Sequence, residues 1–291
     1  MANGEAEPDW RRLNRANWDE RVPVHLGPRG YDLSTLRAGG RRELGFVQDE
    51  IGPVDGLRIL HLQCHIGTDS LALAQLGASV VGVDFSAPAI AAADALAAEL
   101  GLDSHCRFVQ SDVYDAPAVL NEAGGFDAVF ASWGTICWLP DVRGWARVVA
   151  HFLRPDGCFY FAEGHPAALA LDASPWEAED QPRFDWPYLG RAVEVSRDAS
   201  DYADPEAVLA NDTTHQWLHP LGDVVTALID AGLRLEWLHE HDRVPWRMLP
   251  VLVRQTDGFW GWPDRKWLPL AYSLRARKLG IYLGDNSAPH P

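Results

Sequence analysis

The sequence predicts an α/β fold, a mostly parallel sheet with helices on both faces, and three observations carry that prediction. Short apolar runs alternate with helix-length segments from Leu57 to Glu163, the pattern of strands covered on both faces and joined by right-handed crossovers. Leu57 to Asp84 reads as strand, tight turn, helix, strand and then an acid, the first half of a nucleotide-binding crevice. The last two strand-like runs, Leu233–His241 and Leu268–Arg277, have no helical stretch between them, so they are expected to run antiparallel.

In chain order, residues 1–7 are expected to form a disordered tail. Residues 8–26, with Trp10, Trp18 and dense charge, predict a short amphipathic helix followed by the VPVH segment. Leu36 to Ile51 predicts a second helix, and GPVDG breaks the chain before the first strand. Strands are expected at Arg58–Gln63, Ser79–Asp84, Arg107–Asp112, Phe126–Ser132 and Cys158–Glu163. Between them lie predicted helices at Thr68–Leu76, Ala87–Leu100, Ala116–Asn121 and Trp138–Phe152. Residues 164–212 break this rhythm: polar, Pro-rich and carrying Phe184, Trp186 and Tyr188, they read as an inserted lid or pocket wall. A helix at Leu221–Ala231, closed by Gly232, precedes the two final strands. The expected organisation is a tail (1–7), an N-terminal helical cap (8–51), one α/β domain (52–279) with the lid at 164–212, and a C-terminal tail (280–291).

Composition narrows the function classes. With 291 residues and a 47% apolar fraction, the chain suits one large core with decorations. A formal charge of −16 with scattered Arg and Lys argues against nucleic acid and against anionic membranes. Cys64, Cys106, Cys137 and Cys158 lie far apart and read as small buried hydrophobes in a reducing compartment. The start MANGEAEPDW has neither a basic opening nor an apolar core, and no run reaches the length of a membrane span. A soluble, cytoplasmic protein is expected, with its oligomeric state unreadable.

With these elements in order, the chain resembles a class I S-adenosylmethionine-dependent methyltransferase over roughly residues 40–279. That family carries its first motif on the turn after the first strand, an acid ending the second strand and another after the third. Here these correspond to HLQCHIG (61–67), Asp84 and Asp112, followed by FDAVFASWGTICWLPD (126–141) on the fourth strand and LRPDGCFYFAEGHP (153–166) on the fifth. The LQCHxG turn, paired with a TxCWLPD-like segment, is similar to a bacterial branch of small-molecule methyltransferases. The resemblance implies a Rossmann-like, mostly parallel seven-stranded sheet with an antiparallel final strand. It also implies S-adenosyl-L-methionine as the cofactor and a small-molecule acceptor methylated on O or N, in the manner of specialised metabolism.

The resemblance assigns the cofactor side residue by residue. Gly67 supplies a left-handed turn or a close backbone approach, and amides opening the helix at Thr68 meet the methionine carboxylate. Asp84, beside Phe85, accepts from both ribose hydroxyls, while Asp112 and Val113 border the adenine. The family's first-strand acid is His61 here, and two turn glycines are Gln63 and His65. Either those two side chains line the cofactor as hydrogen-bonding substitutes or affinity is reduced. Trp18 and Tyr31 fall where family members close a segment over the cofactor, with Tyr31 reaching the acceptor.

The acceptor side is expected beyond the ends of the fourth and fifth strands, at Ser132, Trp133, Gly134, Trp138, Glu163 and His165. His165 is the candidate general base, because imidazole titrates near working pH; the alternative is an ordering contact in a Gly-His-Pro turn. Only Trp10 and Trp18 of the 13 tryptophans precede residue 130. Trp133, Trp138, Trp186, Trp217 and Trp246 are thus candidates for an aromatic acceptor pocket, with His215 beside them; core packing is the alternative for each. Arg243 and Arg247 are candidates for an anionic substrate, against ordinary surface ion pairs. Paired histidines at 215/219 and 239/241 lack the fourfold convergence of a metal site, so no metal is expected. Two rival readings are a dinucleotide oxidoreductase, which lacks its glycines here, and an S-adenosylmethionine-binding regulator without methyl transfer.

Overall fold

The structure, a computed structural model, describes residues 7–38, 44–171 and 183–280. Helix α1 (Asp9–His25) opens the chain, followed by α2 (Ser34–Arg37) and α3 (Phe46–Ile51). Then come β1 (Arg58–Leu62), α4 (Thr68–Gln75), β2 (Ser79–Asp84), α5 (Ala87–Glu99), β3 (Cys106–Gln110), α6 (Ala116–Leu120) and β4 (Phe126–Ser132). A 3-10 turn at Ile136–Trp138 leads into α7 (Val142–Phe152), β5 (Leu153–Gly164) and α8 (Pro166–Leu169). The remainder comprises β6 (Glu194–Arg197), β7 (Thr213–Gln216), α9 (Leu221–Asp230), β8 (Leu233–His241), β9 (Arg243–Val244), β10 (Val253–Arg254), β11 (Trp260–Gly261) and β12 (Ala271–Lys278).

Seven strands make the main sheet in the order β3-β2-β1-β4-β5-β12-β8. The first five run parallel, and β12 lies antiparallel between β5 and β8. Strand order reverses between β1 and β4, which opens a crevice at their carboxyl ends, the usual ligand position in such sheets. Period-two alternation fills both faces. Phe159 and Phe161 of β5 join Leu60, Leu62, Trp145 and Phe152 on one side; Tyr160 and Ala162 join Ile59, Leu71, Leu96 and Phe108 on the other.

Several boundaries differ from expectation for identifiable reasons. Helix α1 continues through VPVH with Pro23 inside it, because Val22 and His25 are buried along with Asn14, Asn17 and Arg21. The expected second helix appears as α2 and α3, with Gly45 at φ 60° opening the latter. Helix α7 begins only at Val142, where the Asp141 side chain caps it by accepting from the Gly144 amide at 2.9 Å. The Trp-rich loop after β8 folds as the small sheet β10-β11-β9 over its own apolar cluster, which includes Leu249, Leu252 and Trp262.

The inserted segment is fastened to α1. Strands β6 and β7 pair antiparallel. Asn14 donates to the His215 carbonyl at 2.8 Å and accepts from its amide at 2.7 Å. Asn17 donates to the Asn211 carbonyl at 2.6 Å, and Glu20 accepts from the Ala210 and Asn211 amides at 2.7 and 2.8 Å. Parts of the expected lid and of both tails (172–182, 1–6 and 281–291) lie outside the described residues.

Candidate active site

The turn after β1 is the first component. Gln63, His65 and Gly67 have φ of 56°, 48° and 75°, so alternate residues are left-handed, which costs a residue with a side chain about 1 kcal/mol or more. Cys64 donates to the Val83 carbonyl at 3.0 Å and the His65 amide to Asp84 Oδ2 at 2.8 Å, bracing the turn. At Gly67 a Cβ would fall 2.8 Å from the Phe108 ring and 2.9 Å from Ala93 Cβ. Glycine there is demanded by packing as well as by φ. Gln63 reaches across to the loop after β4, donating from Nε2 to the Thr135 carbonyl at 2.8 Å.

Two acids occupy the ends of β2 and β3. Asp84 Oδ1 accepts from the Ser86 amide at 2.9 Å while Oδ2 holds His65. Burial lifts its pKa to about 6 against these hydrogen bonds, helped by Asp19 of α1. Ser86 Oγ caps α5, accepting from Ala89 at 3.2 Å. Phe85 is half-buried between them. Asp112 Oδ1 accepts from the Tyr114 amide at 2.9 Å, and Oδ2 lies 3.0 Å from Arg11 Nε; burial pushes its pKa up. Val113 beside it is buried in the core.

Beyond β4, Ser132 Oγ donates to Asp69 at 3.0 Å. Trp133 and Gly134 are again left-handed, at φ 54° and 66°. Glu163 braces this loop, accepting from the amides of Gly134, Thr135 and Gly164 at 2.6, 2.7 and 2.8 Å and from the Thr135 hydroxyl at 3.1 Å. Both oxygens are thereby committed to the fold, an arrangement that differs from the acceptor contact expected of Glu163. Burial nonetheless raises its pKa, against the hydrogen bonds. A Cβ built on Gly134 meets nothing within 4 Å, which leaves open space at the end of β4.

The aromatic candidates divide into separate groups. Trp18 meets His65 at 5.2 Å and Trp138 at 5.4 Å, joining α1, the β1 turn and the β4 loop. Tyr31 stacks on His25 at 4.7 Å, and its hydroxyl meets that of Tyr202. Trp133 packs with Trp246 at 6.0 Å and Phe46 at 5.7 Å, whereas Trp217 packs on Trp10 at 5.6 Å. Trp186 is held elsewhere, its amide donating to the Ala170 carbonyl at 3.1 Å. The five tryptophans therefore do not line a single pocket, because α1 and the Trp-rich loop each claim some of them. His215 is tied to Asn14 through its backbone.

His165 caps α8: Nδ1 accepts from the Ala167 amide at 3.2 Å, leaving Nε2 as the protonated nitrogen, 3.1 Å from Glu240. That is the ordering contact, and it leaves no lone pair for an acceptor proton. Arg243 pairs with Asp257, and Arg247 bonds the Pro250 carbonyl. Among the described residues no group of three or more His, Cys, Asp or Glu is placed to hold a metal, and no helix is long and apolar enough to cross a membrane.

Sequence reasoning did not single out Asp19, Arg21, His25, Thr135 or Asp201, all of which converge on this site. A signal for Arg21 and His25 was present: Asn14, Asn17, Arg21 and His25 repeat at helical spacing, a polar stripe on one face. The expected cofactor can be tested against these atoms. Asp19 Oδ1 and Gln63 Oε1 are buried oxygens without a partner among the described residues. Asp19 lies close enough to Asp84 to raise its pKa, and Gln63 stands in the turn that Asp84 braces. S-adenosylmethionine brings ribose hydroxyls, an ammonium group and an exocyclic amine, so the residues fit it.

The comparisons with known proteins agree. Residues 59–157 match the family described as a methyltransferase domain. Over 175 residues, 57% of the chain, the sequence is 30% identical to a ubiquinone biosynthesis O-methyltransferase of Sinorhizobium fredii, covering 68% of it. It is 29% identical to the protein of the same name from Cronobacter sakazakii, over 41% of this chain and 47% of that relative's length. In fold it is similar to an S-adenosylmethionine-dependent methyltransferase from Mesorhizobium loti, with a TM-score of 0.57 and 20% identity, over 80% of this chain and 95% of that one.

Proposed function

The chain belongs to the class I S-adenosylmethionine-dependent methyltransferases, and from that premise we propose that it methylates an oxygen or nitrogen atom of a small-molecule acceptor. The observation that carries the reading is the acceptor-rich crevice around the left-handed β1 turn, bounded by Asp19, Gln63 and Asp84. When bound, the cofactor supplies a sulfonium-activated methyl group for in-line displacement.

The chain's own residues do the holding and aligning. Asp84 is the ribose acceptor, with Phe85 beside it, and Asp112 with Val113 borders the adenine once Arg11 yields an oxygen. Gln63, His65, Gly67 and Ser132 shape the methionine end, and Trp18 covers it from α1. Trp133 adjoins the open space at Gly134, where the acceptor approaches, and Trp138 and Tyr31 are assigned with it to the acceptor side. Glu163 acts indirectly, holding the β4 loop amides in place. His165 orders the turn beyond β5, so deprotonation of the acceptor falls to solvent or to the acceptor's own acidity. Relatives named for O-methyl transfer in ubiquinone biosynthesis favour an oxygen acceptor as the first to try.

Calorimetry with S-adenosylmethionine, its demethylated product and NAD tests the cofactor; binding of the first two and not the third is expected. Turnover on a panel of phenols, amines and carboxylates, read as release of demethylated cofactor, tests the reaction. Tight cofactor binding without turnover on any acceptor class would favour a cofactor-binding regulator instead.

A further inference from the structure

Asp201, His25 and His65 form a hydrogen-bonded file running from the inserted segment, through the last turn of α1, to the β1 turn. Asp201 Oδ2 lies 3.1 Å from His25 Nε2, and His25 Nδ1 lies 2.8 Å from His65 Nε2. The same Asp201 oxygen accepts from Arg21 Nη1 at 2.8 Å, and its other oxygen accepts from the Ala203 amide at 2.7 Å. The side chains of Asp201 and His25 are wholly excluded from solvent. Around the file, Trp18 and Tyr31 pack on both imidazoles. Asp84 receives the His65 amide, and Tyr202 lies against His25.

A carboxylate only accepts hydrogen bonds, whereas a neutral imidazole donates from one nitrogen and accepts at the other. Arg21 already supplies the one positive charge that Asp201 can balance, and a second cation in this dry site would stand unpaired. With both rings neutral, the direction of every bond is fixed. His25 donates from Nε2 to Asp201 and accepts at Nδ1; His65 donates from Nε2 and keeps a lone pair at Nδ1. Among the described residues no hydrogen bond engages that Nδ1.

We propose that Asp201 sets the tautomer of His65 through His25, so that the β1 turn offers a neutral acceptor to the ammonium end of the cofactor. Seating of the inserted segment on α1 thereby strengthens cofactor binding, and cofactor binding strengthens the seating by the same factor. A glycine at position 65 would keep the backbone of the turn and lose this connection. The inference rests on the methyltransferase reading above. Asp201 and His25 are positioning residues in it; His65 is the contact.

Long-range proton–nitrogen correlation spectra of the full chain, labelled in histidine, read the tautomer directly. His65 is expected as the Nε2–H form at pH 7.5; an Nδ1–H form in the wild type would overturn the proposal whatever the variants do. Asp201→Ala removes the acceptor that fixes the His25 tautomer, so His65 should lose its preference for the Nε2–H form and calorimetric affinity for the demethylated cofactor should fall roughly tenfold or more. In a His65→Gly background the same substitution should cost no further affinity. Equal losses in both backgrounds would sink the inference and leave the methyltransferase reading standing. No binding of S-adenosylmethionine or its product to the wild type would sink both.

Discussion

Gln63 and His65 stand at φ 56° and 48° where the family's turn uses glycine, so the backbone path has been kept and two side chains added to it. Gly67, by contrast, has no such latitude. Gly67→Ala drives a methyl group into Phe108 and Ala93 and is expected to cost about 2–4 kcal/mol, read as a lowered urea midpoint with an unchanged m-value. Asp84 makes a pH-dependent contribution to binding. Its pKa is lifted to about 6 by burial, and ribose hydroxyls favour the ionised form, so cofactor affinity should climb as pH rises through 6 and level off above it. Calorimetry between pH 5 and 8 checks this: Asp84→Asn should give a flat profile and weaker binding by about tenfold to a hundredfold. The position of Asp84 was legible because an acid at the end of an apolar strand has few other uses. Its present partners, the His65 and Ser86 amides, were not, since they depend on how the turn folds back.

Helix α1 is an element whose sequence looks ordinary and whose buried face is polar. Asn14, Asn17, Arg21 and His25 are buried on it, and each bonds a group remote in sequence. Arg21→Ala would leave Asp201 buried opposite His25 alone. The expected loss is about 3 kcal/mol, and faster amide exchange should appear in the second half of α1 and in residues 198–219 together, because one element cannot open without the other. Exchange confined to α1 would contradict the fastening described here. The strand limits of β2, β4 and β8 were readable to the residue, since apolar runs bounded by turn residues leave little choice. The lid's attachment was not readable: Asn14 and His215 are 201 positions apart, and nothing in either segment names its partner.

At the scale of the whole molecule, buried imidazoles weaken the fold in acid. Burial holds His61 down at about 4 and His65 at about 3, against an ordinary value of 6.5. A histidine depressed on folding contributes stability that is full above pH 6.5 and is lost as pH falls toward its folded value. Asp84, Asp112 and Glu163, raised on folding, have the opposite slope over the acidic range, so the histidine contribution is read from a variant that removes it. The contribution of His61 should decline between pH 6.5 and 4 by about 3 kcal/mol. Urea midpoints measured across that range should show a shallower decline in His61→Gln, which keeps a hydrogen-bonding partner for Ser70. The four cysteines are free thiols, and burial raises the pKa of each.

The sheet, its crossovers, the crevice and the acids at its rim are encoded along the chain itself. These follow from local periodicity and from turn and cap residues that act within a few positions of themselves. What covers that crevice is fixed only when distant segments meet. The pairing of α1 with the inserted segment, the committed state of Glu163 and His165, and the separation of the tryptophans all rest on burial of polar groups between distant segments. Such contacts carry no period, since a buried hydrogen bond is specified by where two segments meet and by no pattern within either.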